Sequence, residues 1–167
     1  MDIRALDTEY SRSGFTLVEL LIVVLILGIL AAVVVPQFSA GALDAKGSAL
    51  EADLTVLRTA IEMYHLQHKD TFPGTISGSS TWDNFVVHLT KQTDKNGDPG
   101  TKYGPYLRTG IPANPLNGSK LGTIVGSMPA NGDDSSGWYY KPSTGEIRAN
   151  SAVTLQVAGE SVKAVKF

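Results

Sequence analysis

An α+β fold, with one long N-terminal helix laid against a small antiparallel sheet, follows from three features of the sequence. Residues 15–35 form an apolar run interrupted only by Thr16, Glu19 and Gly28. From Leu43 to Tyr64 apolar side chains recur at helical spacing, and after residue 120 short β-prone segments alternate with turn residues. The chain of 167 residues therefore divides into a polar leader at 1–14, an apolar helix at 15–36, its amphipathic continuation at 37–71 and a head at 72–167.

The leader carries Asp2, Arg4, Asp7, Glu9 and Arg12 and has no apolar run of its own, so it has nothing to contribute to a core. A net charge of −2 with no basic stripe argues against nucleic acid as a sequence-specific partner. With no cysteine there is no disulfide framework, zinc–thiolate site or cysteine nucleophile.

At the standard helical rise the apolar run is roughly 31 Å long, enough for one bilayer crossing. Arg4 and Arg12 precede it and Lys46 is the first base after it, which favours a cytoplasmic N-terminus and an exported C-terminal part. A cleaved secretory signal is the competitor, with Ala31-Ala32 as its small-residue site. The helical pattern continues past Pro36, which favours a retained helix. Glu19 needs an explanation there, because an ionisable group in a membrane span costs on the order of 3 kcal/mol. Near the start of the run it either snorkels to the interface or meets a cation in an apolar setting.

Gly14 followed by Phe15-Thr16-Leu17-Val18-Glu19-Leu20-Leu21-Ile22-Val23-Val24 resembles the processing motif of the type IV pilin-like superfamily, which includes type IV pilins and type II secretion pseudopilins. The resemblance implies that a prepilin peptidase cuts between Gly14 and Phe15 and methylates the new Phe15 amine, and that Glu19 pairs with that amine on a neighbouring subunit. The physics agrees: a carboxylate is favoured at a helix N-terminus, and an unpaired buried charge is penalised, so the pair would set axial register. The fold implied is pilin-like. The partners implied are identical subunits, other pseudopilins and inner-membrane assembly proteins, and the location is the inner membrane before assembly and a periplasmic pseudopilus after it. Gly28 and Pro36 each weaken a helix, and the resemblance makes the stretch between them a place where the helix loosens in a fibre.

Beyond Pro36, Leu43, Leu50, Leu54, Leu57, Ile61 and Tyr64 form one stripe, and Asp44, Lys46, Glu51, Arg58, Glu62 and Gln67 lie opposite. The helix is expected to reach about Lys69, with Phe72-Pro73-Gly74 closing it. His65 and His68 read as surface histidines near its C-terminus, and His88 stands isolated; none is assigned to a site. Thr81 caps a short helix whose Trp82, Phe85, Val86 and Leu89 share a face. Residues 91–119 are irregular, and within them Tyr103-Gly104-Pro105-Tyr106-Leu107 and Ile111-Pro112-Ala113-Asn114-Pro115 resemble the approach to the sheet in major, G-type pseudopilins. Strands are expected at 121–125, 137–141 and 146–149, the last two joined through Pro142-Ser143-Thr144-Gly145. Val153, Leu155 and Val157 alternate, so the tail is either a further strand or hairpin or a flexible end.

Asp94-Lys95-Asn96-Gly97-Asp98 and Asn131-Gly132-Asp133-Asp134-Ser135 gather oxygen ligands around a glycine, as calcium loops do, yet both lack the closing glutamate of an EF-hand. The resemblance adds calcium as a candidate ligand for Asp133 and Asp134; taken as residues alone, both clusters read as solvated turns. No serine elbow, phosphate-binding glycine loop or paired metal motif supports catalysis. The expected function is a structural pseudopilin, processed and polymerised into a type II secretion fibre. The alternatives are a type IV pilin of a surface filament and a membrane-anchored enzyme or binding module.

Overall fold

The computed structural model of the chain describes residues 14–157 and 160–164; residues 1–13 of the leader, 158–159 and the last three residues lie outside it. The main helix, α1, spans Leu17–Gln67, 51 residues, and passes through Gly28 and Pro36 without a break. Two compact units result, one up to Ala40 and one from Gly41 onward.

In the first unit every large apolar side chain from Phe15 to Leu30 is exposed. Among the described residues no helix is long and apolar enough to cross a membrane. The described side chains of α1 in this unit end at Ala32, and a helix from Leu17 to that point covers about 24 Å, short of the roughly 30 Å hydrocarbon layer. The spanning helix expected over 15–36 is thus not shown by these residues.

In the second unit the predicted stripe is the core. Leu50, Leu54, Leu57, Ile61 and Tyr64 are all buried, Leu43 is partly so, and the residues opposite are mostly exposed. A second helix, α2 at Trp82–Thr90, contributes Phe85 and Leu89 to this cluster. Thr81 caps it as expected, its hydroxyl accepting from the Asn84 N–H at 3.1 Å. Each fully buried aliphatic or aromatic side chain of this set contributes about 1.5–3 kcal/mol of transfer free energy.

α1 ends at Gln67, slightly before the expected Lys69, because Lys69 and Asp70 both take left-handed conformations at φ 56°. A small hairpin follows that the sequence pattern did not signal, β1 at Thr75–Ile76 with β2 at Ser79–Ser80. The main sheet has the order β3 (Gly122–Ile124), β4 (Trp138–Lys141), β5 (Glu146–Ala149). The β4–β5 hairpin is antiparallel, with Tyr140 opposite Ile147. Its turn needs Gly145 at φ +70°, where a side chain would also run into the Phe72 ring.

One expectation is corrected here. β3 pairs with β4 in parallel, Thr123 opposite Tyr139, so the sheet is mixed. The reason is connectivity: residues 125–137 carry the chain back to the end at which β3 began, so both strands run the same way. The tail resolves as an antiparallel hairpin, β6 at Thr154–Val157 with β7 at Glu160–Lys163, and Leu155 enters the core.

Candidate functional site

The start of α1 is organised by its own side chains. Thr16 precedes the first helical residue and Glu19 lies three positions on, the spacing of a reciprocal capping box. The Thr16 hydroxyl accepts from the Glu19 N–H at 3.2 Å, and Glu19 Oε2 accepts from both the Thr16 N–H and the Thr16 hydroxyl at 2.9 Å. Two helix donors without intrahelical partners are thereby satisfied. All these bonds to Glu19 fall on Oε2, and among the described residues Oε1 takes none. Gly14, Phe15 and Glu19 are all exposed. The structure therefore brings the residues of the expected cleavage point and the carboxylate onto one accessible helix end. Thr16 was not singled out from the sequence, although the Thr-x-x-Glu spacing was its signal.

A second grouping corrects the reading of the histidines. His68 and His88 are buried rather than on the surface, and they stack on either side of Tyr64 with ring centroids at 3.7 Å and 5.0 Å. His68 donates from Nδ1 to the Tyr64 carbonyl and meets the Thr93 hydroxyl through Nε2, each at 2.8 Å. His88 accepts the Gly74 N–H on Nδ1 at 3.1 Å, and its Nε2 has no partner. Burial, with the neighbouring His68 second, pushes His88 down to about 4, against the opposing pull of Asp98. Gly97 (φ +90°) closes over the group, since a Cβ there would lie 2.5 Å from the Tyr64 hydroxyl. His65, half-buried, stacks on Phe72. These contacts fill a core; none presents a nucleophile.

Asp133 and Asp134 lie in the loop before β4. Asp133 Oδ1 accepts from the Ser135 N–H (3.0 Å), the Ser135 hydroxyl (2.7 Å) and the Asn150 amide (2.7 Å). These donors, Ser135 first and Asn150 next, hold its carboxyl well below the usual carboxylate range. Asp134 Oδ2 accepts from the Ala152 N–H at 3.2 Å and Oδ1 from Asn117 at 3.4 Å. Calcium requires six to eight oxygens with lone pairs turned inward. Here N–H and O–H groups of the chain are aimed at Asp133 Oδ1 and at both Asp134 oxygens, and among the described residues no set of three or more His, Cys, Asp or Glu side chains is placed to hold a metal. The arrangement does not fit the calcium site considered from the sequence. In the other loop Asp94 Oδ1 is likewise taken by the Asn96 and Asp98 N–H groups.

The helix start matches a known pattern. Residues 10–35 match the model of the prokaryotic N-terminal methylation motif. The type II secretion system core protein G of Aeromonas hydrophila is 30% identical over 136 residues, which cover 78% of this chain and 94% of that protein. The chain belongs to the type II secretion system core protein G family. Another protein of that name, from Pseudomonas aeruginosa, is 43% identical over 67 residues, 40% of this chain and 46% of its own length. The type IV major fimbrial protein FimA of Dichelobacter nodosus is 42% identical over 84 residues, 49% of this chain and 54% of its own. The chain thus spans about half the length of these two relatives. No solved structure matches it.

Proposed function

We propose that the chain is a structural subunit of a type II secretion pseudopilus. Prepilin peptidase removes residues 1–14 at the cytoplasmic face of the inner membrane and methylates Phe15. The segment 15–36 holds the subunit in that membrane until assembly, and identical subunits then polymerise through it into a periplasmic fibre that drives export, alongside other pseudopilins and the inner-membrane assembly proteins. One observation carries this reading: Glu19 closes its own helix with Oε2 and leaves Oε1 accessible at the end where a processed Phe15 amine would lie. A neighbour's amine can join the carboxylate without uncapping the helix. Within a fibre the low dielectric strengthens that attraction, and a missing partner would be costly. Gly28 and Pro36 are the positions at which the helix loosens on assembly.

Glu19→Gln tests the charge separately from the cap, since the amide oxygen still accepts from Thr16. The variant is expected to reach the membrane at wild-type levels and to form no fibres. Normal fibres would show that the charge does not set the register.

The similarity to the Dichelobacter fimbrial protein favours a second reading, a subunit of a type IV surface filament. Deleting the chain separates the two: loss of exported proteins from the medium supports the pseudopilus, and loss of surface filaments with export intact supports the pilus.

A further inference from the structure

Asn150 is fully buried at the end of β5, and its side chain spans the loop at 131–136. Its amide nitrogen donates to Asp133 Oδ1 at 2.7 Å, to Ser136 Oγ at 3.0 Å and to Ser135 Oγ at 3.3 Å, while its Oδ1 accepts the Asp133 N–H at 2.8 Å. The positive end of the amide dipole therefore points at the carboxylate, the place a cation would take. Asn117 reinforces the closure by donating to the Ser136 and Asn150 carbonyls, both at 2.9 Å. From the tail hairpin, the Lys163 ammonium donates to Asn131 Oδ1 at 2.5 Å and supplies the positive charge beside the loop. The same loop takes the Ala152 N–H on Asp134, so β5, the loop and the tail are tied together. Asn150 and Ser136 are the buried centre of this network, with Asp133, Asp134, Ser135 and Lys163 exposed around them, and removing Asn150 would leave the buried Ser136 hydroxyl one partner short.

We infer that the 131–136 loop is locked by donors of this chain, Asn150 at its centre with Asn117 and Lys163 around it, in place of a divalent cation, so that the head holds its fold independently of calcium. A resident calcium ion at a hundred times its dissociation constant would raise the melting midpoint on the order of 10 °C. The test is thermal unfolding of the full chain in detergent, with millimolar calcium and with a chelator. The wild-type midpoints are expected to coincide within about 1 °C, against the rise on the order of 10 °C that a resident ion would give. Asn150→Ala, and the milder Asn117→Ala if the first does not fold, should lower the midpoint equally in both conditions. A wild-type midpoint that rises by several degrees with calcium, or an Asn117→Ala midpoint equal to that of the wild type, would overturn the inference.

Discussion

Two residues, His88 and Glu19, show how one side chain reads differently before and after its neighbours are known. His88 is neutral when folded because burial disfavours its charged form, whereas the unfolded chain takes a proton near pH 6.5. The unfolded state therefore binds more protons between about pH 6.5 and about pH 4. Stability from this group is complete above that window and is lost as pH falls through it, by at most about 3 kcal/mol at 1.36 kcal/mol per pH unit. His88→Gln should flatten the pH dependence of thermal unfolding across the window, and an unchanged profile would show that burial and the neighbouring His68 do not hold this ring neutral. The burial of His68 was written in the sequence, since Leu57, Ile61, Tyr64 and His68 continue one spacing of four, three and four. Histidine's polarity obscures that continuation. Glu19 was legible as an anomaly, but its cap was hidden because an acid in an apolar run points first to its membrane cost.

The apolar stripe of α1 was legible because a 3.6-residue period needs no knowledge of what it packs on. Leu57 at its centre touches the buried cluster shared with α2 and the sheet. Leu57→Ala should cost about 2–5 kcal/mol, measured by chemical denaturation of the full chain in detergent. Lys46 on the opposite face is exposed, and its truncation should change stability by less than about 0.5 kcal/mol. The strands β4 and β5 were legible through the turn at Gly145 and the aromatic run before it. The direction of β3 was not, because it depends on where the 125–137 connection delivers the chain, and no local pattern encodes that. The tail hairpin follows from the alternation around Leu155, while its attachment through Lys163 to Asn131 is a long-range contact between residues 32 apart in sequence.

For the whole molecule, a run of exposed apolar side chains from Phe15 to Leu30 must be covered, by lipid, by copies of itself or by both in turn. In the head, buried polar residues close loops and layers, as at Asn150, Asn114 and His68. An account in which the chain is cut, modified and assembled through its first helix uses the accessible polar start of that helix, the Thr16–Glu19 end. Gly14→Ala should stop the shortening of the chain and with it assembly. The central claim rests on the N-terminus of the mature protein, and intact-mass measurement of the chain purified from its membrane tests it directly. The account predicts a protein that begins at Phe15 and carries one added methyl group; a mature chain that still retains residues 1–14 would contradict it.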